Sequence, residues 1–476
     1  MLFNSFHFLI FFIVVTTIYF ALPYNRRWIL LLVSSCYFYM AFVPIYILIL
    51  GFTIVVDYFA AIYIEDAEGK RRKLFLIFSL IANIGVLAIF KYYNFLNHNL
   101  TFLFQGFGLT NPIPYLSILL PIGLSFHTFQ AMSYTIEVYR GNQKAERHFG
   151  IYSLYVMFFP QLVAGPIERP QNLLHQFREN YNFEYERVVE GLKLILWGFF
   201  KKLVIADRLA IYVNAVYNNP QQHNGTTFVV ATIFFAVQIY CDFSGYSDIA
   251  IGTAKVLGFK LMTNFNRPYF ARNISEFWKR WHISLSTWFK DYLYISLGGN
   301  RVSVPRWYFN LFIVFLISGL WHGANWTYII WGALNGFYLV FAIISQGFRD
   351  KINRLTGIEK LPWVNHLLQI VSTFLLSCFA WIFFRANNVS DAFIIIKKIF
   401  TSRGPIFIEN PSIIIFSFLA IFMLLFVELK KEFYKGDFFF YGNKSWIVRS
   451  LSYTFLILVI LLMGVFDGGQ FIYFQF

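Results

Sequence analysis

Apolar runs close to the length of a bilayer crossing follow one another along most of the 476 residues. Phe3–Leu22, Trp28–Phe42, Pro44–Ile64 and Leu74–Phe95 predict four helices in succession. The junctions between them alternate in charge. Asn25-Arg26-Arg27 and the Glu68–Lys73 run are basic, whereas Val43-Pro44 and Asn97–Pro114 are nearly uncharged. The positive-inside rule then puts the basic junctions in the cytoplasm and the N-terminus outside. No basic region precedes Phe3–Leu22 and no small-residue cleavage site follows it, so it reads as a retained first helix and not a signal peptide.

The centre is less regular. Tyr115–Val138 is interrupted by Pro121, Gly123, His127 and Glu137, and Phe149–Gly165 by Pro160 and Gly165. Irregular backbone at membrane depth must be buried in protein or line a watery cavity, which predicts half-helices or re-entrant segments. Val188–Val216, with Lys201-Lys202 and Asp207-Arg208, predicts a helix that dips into the interface and leaves it. Thr227–Phe259 carries Asp242, Ser244, Tyr246 and Asp248, and Tyr308–Ser345 reads as one further helix kinked at Gly319 and Gly323. Leu367–Phe384, Ser412–Val427 and Ser450–Val465 are conventional spans. The basic stretch with Lys430, Lys431, Lys435, Lys444 and Arg449 is placed inside, leaving Asp467–Phe476 and the C-terminus outside. The expected architecture is all-α: a polytopic membrane protein with about ten or eleven transmembrane helices, plus re-entrant and interfacial helices around a central cavity. Residues 1–476 form one domain in this reading.

Composition agrees. The chain is 58% hydrophobic and 13% charged, against about a quarter charged in soluble domains. The net charge of +15 suits cytoplasmic loops facing anionic membrane lipids better than nucleic acid. Cys36, Cys241 and Cys378 lie far apart, so neither a metal site nor a disulfide framework is expected.

The densest chemistry lies between Asn264 and Gly323, which opens as NFNRPYFARNISEFWKRWHISLSTWFKDYLYISLGGNR and closes on SGLWHGANW. On an ideal helix Trp278, Trp281, Leu285, Trp288, Phe289 and Tyr292 share an arc about 100° wide, the pattern of an interfacial helix. His282 falls at the edge of that arc, and His322 sits inside an apolar segment. These two histidines are the leading candidates for chemistry, because an intramembrane ionisable group is a functional hypothesis by default. Arg267, Arg272, Lys279, Arg280 and Arg301 form a basic group able either to attract phosphates or to anchor to anionic lipid. Asn325, near His322, reads as a structural hydrogen-bonder. The polar knot Asp242, Ser244, Tyr246 and Asp248 requires buried partners. Glu137 with Arg140, and Glu168 with Arg169, read the same way.

EFWKRWHISLSTWFKDYLYISLGGNR followed by GLWHGANWTYIIWG resembles the signature of the membrane-bound O-acyltransferase superfamily. LPIGLSFHTFQAMSYTIEVYRG, FPQLVAGPIERP, QIYCDFSGYSDIAIG and the terminal FIYFQF extend the resemblance over most of the chain. The form is most similar to the bacterial branch that O-acetylates exported polysaccharides, the alginate and peptidoglycan O-acetyltransferases. The resemblance implies His322 as the catalytic base and His282 as an orienting or assisting group. It further implies acetyl-CoA as cytoplasmic donor, with its phosphates met by the basic group, an acceptor polysaccharide (peptidoglycan slightly favoured over alginate), and a periplasmic O-acetyltransferase partner protein. The location would be the bacterial inner membrane. Tyr473 is the only hydroxyl in the aromatic tail, and related acyl-export systems carry a similar tail motif. Tyr473 is therefore expected to accept acetyl and relay it, the other reading being an aromatic anchor. Two alternatives stay open: a transporter of an acetylated or anionic solute, with the histidines as proton relays, and a D-alanyl transferase for teichoic acid.

Overall fold

The computed structural model of the chain describes residues 1–117, 120–434, 443, 445–466 and 472. They are helical, with no strand among the described residues. Eight helices are long and apolar enough to cross a membrane, from Pro44–Asp66 to Trp446–Met463, and Phe6–Ala21 falls just short in length. The chain is an all-α, multi-pass membrane protein. The described residues cluster into two compact units, Met1–Ile195 with Asp248–Met262, and Leu196–Ser247 with Thr263–Phe476.

The first unit holds the early apolar helices. The run expected to end at Phe95 continues to Gly106, with a π-helical turn at Ala88–Tyr92. Its polar end is usable because Asn94 and Asn97 donate to the carbonyls of Leu116, Ile113 and Pro114, so the following loop satisfies it. The broken segments are broken where their glycines and prolines predict. Gly123, at φ 77°, caps a helix that starts only at Leu124, and a Cβ there would stand 2.9 Å from the Leu162 carbonyl oxygen. Phe149–Met157 is a short helix followed by a four-residue turn, Phe159–Leu162, with Pro160 in its first positions. Glu137 pairs with Arg140 at 3.2 Å. Between the helices of this unit, Asp57 accepts from Ser79 Oγ at 2.6 Å and from Asn83 Nδ2 at 2.9 Å. These groups are fully buried, and Ser79 also reaches Thr135 at 3.1 Å.

The second unit departs from expectation in three places. Lys201 and Lys202, expected at an interface, are buried at 4% and 2% exposure. A seven-residue π-helical stretch, Phe200–Ala206, carries both, and Lys202 meets Asp207 at 2.8 Å and Asp242 at 2.5 Å. Asp242 and Ser244 of the polar knot on the long helix are thus met by lysines. Tyr308–Ser345 is not one kinked helix. It is two, Val304–His322 and Trp326–Ile344, joined by a three-residue turn. Their backbones touch: a Cβ on Gly319 would lie 2.3 Å from the Tyr328 carbonyl oxygen, and one on Gly332 would lie 2.4 Å from that of Phe315. Close approach through small residues replaces the hydrophobic drive that lipid cannot supply.

The third departure is the aromatic helix. It breaks at His282, whose φ of 42° lies in the left-handed region. Ile274–Arg280 and Ile283–Trp288 are separate helices, followed by a π-helical Phe289–Tyr294. Trp281, Leu285, Trp288, Phe289 and Tyr292 are buried inside protein and do not face an acyl boundary. An ideal-helix wheel fails once the chain turns between its two halves.

Candidate functional site

All the geometry of the site lies in the second unit. His322 is the last residue of its helix, at the tip of the glycine-packed hairpin. Gly323 follows in extended backbone, where a Cβ would stand 2.2 Å from the Tyr328 ring. Asn325 then caps the next helix, its Oδ1 accepting from the Thr327 amide at 3.1 Å, the structural role its position predicts. The His322 ring is walled by Trp321, Trp331 and Phe384, with centroids at 5.0, 4.9 and 5.4 Å. It is 4% exposed.

His282 is held by a different device. The Asn264 carbonyl accepts from the Ile283 amide at 2.9 Å, and Asn266 donates to the Arg280 carbonyl at 2.9 Å. The Asn264 side chain accepts from Ser284 N and Oγ and donates to Ser247 Oγ at 3.1 Å. This bracket keeps a non-glycine residue at positive φ, a conformation costing about 1–3 kcal/mol that persists only when the surroundings impose it. The ring packs on Phe243 at 4.5 Å and reaches Trp321 at 6.3 Å. Trp321 therefore contacts both histidines. Burial holds the His282 imidazole well below its ordinary range, so the ring is neutral at pH 7. Asn264 and Trp321 carried no signal in the sequence beyond their place in the dense stretch, and Ser247 none beyond its place in QIYCDFSGYSDIAIG.

The basic group divides. Arg267 meets Glu432 at 2.6 Å. Arg280 meets Glu432 at 2.9 Å and Glu276 at 2.8 Å. Burial raises the Glu276 carboxyl, but the Arg272 amide and the Arg280 guanidinium outweigh it and hold it below the usual range. Arg272, paired with Glu276 at 3.4 Å, and Lys279 also line cavities. A 400 Å³ apolar cavity is bounded by Trp278, Lys279, Lys290 and Ser318, among others. An 840 Å³ cavity includes Arg272 and Arg349. The two share Ser275, Tyr294, Leu311 and Leu339, so they adjoin. Ser318 stands one helical turn before His322, and Trp278 contacts Trp331 at 5.7 Å. The smaller cavity thus reaches the ring wall of His322. Arg301 is exposed and lines neither cavity. Tyr473, Lys435 and Lys444 lie outside the described residues. No group of three or more metal-ligating side chains occurs among the described residues.

Known proteins share this arrangement of sequence. The chain is 40% identical over 404 residues to a probable alginate O-acetylase of Pseudomonas aeruginosa, covering 84% of this chain and 75% of that protein. It is 36% identical over 409 residues to a peptidoglycan O-acetyltransferase of Helicobacter pylori, covering 80% and 75%. A teichoic acid D-alanyltransferase of Bacillus subtilis is more distant, 28% identical over 281 residues, or 55% of this chain and 68% of that protein. The profile of the membrane-bound O-acyltransferase family matches residues 147–386, which contain both histidines, the bracket and the hairpin. With that match and with relatives this similar over most of its length, the chain belongs to the membrane-bound O-acyltransferase family and is an O-acyltransferase.

Proposed function

We propose that this enzyme takes acetyl from cytoplasmic acetyl-CoA and passes it across the bacterial inner membrane for O-acetylation of an exported polysaccharide. The observation that carries this reading is His322, at a rigid hairpin tip, one turn from a cavity with cationic residues on its lining. Arg272, Arg349, Lys279 and Lys290 offer charge to the donor's phosphates, and the apolar 400 Å³ cavity suits the thinner acyl-bearing arm. Basic junctions at Arg26-Arg27 and Lys70–Lys73 support a cytoplasmic donor side, with both termini outside. The two more similar relatives are named for different polymers, so the shared chemistry is acetyl onto a sugar hydroxyl. Higher identity to them than to the D-alanyltransferase favours acetyl over D-alanyl.

In the reaction, His322 accepts a proton from an acceptor hydroxyl as that oxygen attacks the thioester carbonyl. The tetrahedral intermediate collapses, the carbon–sulfur bond breaks, and the coenzyme A thiolate leaves to be protonated. His282, tied to Trp321, orients the donor or assists the proton transfer. Tyr473 is the first acceptor: its phenolic oxygen takes the acetyl group, and a periplasmic partner protein moves it to sugar. A phenyl ester is more reactive than an alkyl ester, so onward transfer is downhill.

Purified enzyme should release coenzyme A thiol from acetyl-CoA, and His322→Ala should reduce release to background with the melting temperature retained. Wild-type release in His322→Ala removes His322 from the base role. Tyr473→Phe keeps the ring and deletes only the oxygen. If polysaccharide acetylation continues at the wild-type rate in that variant, the tail is an anchor and no relay.

A further inference from the structure

The end of the chain is tied to the buried lysine cluster of the second unit at three points. The Val465 amide donates to the Leu203 carbonyl at 3.0 Å. Arg208 Nε donates to the Met463 carbonyl at 3.2 Å. Beyond them, the Ile472 amide donates to Asp242 Oδ2 at 2.7 Å. Ile472 is itself 5% exposed, so side chain and amide are buried together. The two oxygens of Asp242 divide the work: Oδ1 takes Lys202 and Oδ2 takes the tail.

The division of the Asp242 oxygens explains why an amide belongs there. Lys202 is one cation facing two carboxylates, Asp207 and Asp242, all at or below 5% exposure. Lys201, its neighbour, is directed to Ser244 Oγ at 3.0 Å and lies over the Tyr240 ring. Asp242 Oδ2, the oxygen turned away from Lys202, is a buried acceptor that needs a donor, and the Ile472 N–H supplies one. The dependence runs both ways. Without the tail, Asp242 Oδ2 loses its donor; without Asp242, a buried amide loses its acceptor. The π-helical stretch from Phe200 to Ala206, a rare conformation that clusters at functional sites, sets Lys202 for this contact.

We infer that the Lys202–Asp207–Asp242 cluster is a dock that seats the C-terminal segment of this chain through the Ile472 amide. Asp242 is then a positioning residue for the residue that follows Ile472, Tyr473. The consequence for acetyl transfer rests on the relay reading, but the docking does not.

A cysteine at the chain end, Gln475→Cys, reports the docking by its rate of maleimide labelling in the full-length protein. Labelling of the parent chain, which carries Cys36, Cys241 and Cys378, is subtracted. Ile472→Pro removes the donor N–H and the buried side chain together, and Ile472→Ala, which loses the side chain but keeps the N–H and should label more slowly than Ile472→Pro, separates the two. Ile472→Pro should speed labelling at least about tenfold in the folded chain, corresponding to the loss of one charge-assisted hydrogen bond. Asp242→Ala should do the same, and Asp242→Asn, which keeps an acceptor, should lie near the parent. Unchanged labelling in Ile472→Pro overturns the dock; so does unchanged labelling in a folded Asp242→Ala. If Asp242→Ala fails to fold, Ile472→Pro decides alone. Faster labelling in Ile472→Pro together with full acetylation in Tyr473→Phe keeps the dock and ends the relay.

Discussion

Asp57 in one unit and His322 in the other are both polar groups set deep among apolar side chains, at 0% and 4% exposure. The side chains packed on them differ in kind. Asp57 is met by hydroxyl and amide donors from a neighbouring helix, at 2.6–2.9 Å. His322 is met by rings, three of them within 5.4 Å. Hydrogen bonds convert a buried carboxylate into a tie between helices, and every such bond lost leaves a buried donor behind. Rings hold an imidazole in place by dispersion and edge contact while adding no formal charge to the site. The first arrangement suits a knot, the second suits a group that must gain and lose a proton.

Breaking each arrangement should have a different signature. Asp57→Ala leaves the Ser79 and Asn83 donors buried and should cost about 2–4 kcal/mol, lowering folded yield and activity together. Full yield with lost acetylation would move Asp57 from the knot to the chemistry. His282 should fall between Asp57 and a surface residue in its effect on stability, and below His322 in its effect on turnover. His282→Ala is expected to reduce thiol release about 10- to 100-fold. His282→Gly should match it in activity but be more stable by roughly 1 kcal/mol, because glycine accepts positive φ without cost. Equal melting temperatures would show that the bracket at Asn264 imposes no strain.

Neutralising Arg272 and Lys279 together should raise the KM for acetyl-CoA about 3- to 10-fold at low salt, with kcat held and the difference shrinking as salt rises. The same change at Arg267 and Arg280 should instead lower stability, since Glu432 would be left without its cations. An equal KM effect from both pairs would rejoin the basic group that the cavities divide.

An effect confined to pH above about 5 concerns Glu168, which is fully buried, accepts from the Met262 amide at 2.5 Å and lines a 590 Å³ cavity in the first unit. Burial raises its carboxyl from 4.5 to about 7, against the hydrogen bonds and Arg169 that lower it. The folded chain therefore holds this proton more tightly than the unfolded chain. Stability is present in full below pH 4.5 and declines as pH rises towards 7. Glu168→Gln should raise the melting temperature at pH 8 by the equivalent of about 1–3 kcal/mol and change nothing near pH 4. A gain that is independent of pH would assign it to packing.

Much of the fold was legible because a bilayer demands long apolar helices, and the breaks at Gly123 and Pro160 follow from backbone chemistry alone. The candidate site rests on histidines that the sequence marks locally, through residue type and apolar neighbours. What escaped was set by partners distant in sequence. Glu432 pairs with arginines more than 150 residues away, and Asn264 reaches forward to impose the turn at His282. Lys202 looks interfacial until Asp242, forty residues on, is beside it. Helical periodicity assumes a straight axis, so it grouped the rings from Trp278 to Tyr292 into one stripe across a turn.

The hairpin beneath His322 has a bearing on timing and aim. Acyl transfer requires reacting atoms near 3–3.5 Å, and a misplacement of about 1 Å can cost 100-fold. Helices that meet through Gly319 and Gly332 have no side-chain layer between them to compress or shear. Fluctuation at the tip is then that of the whole hairpin moving as one lever, slow and small, and not that of a single rotamer. Adding one methyl group at either glycine, three and ten residues from His322 in sequence, would act as a shim under that lever and spoil the aim of a ring it never touches.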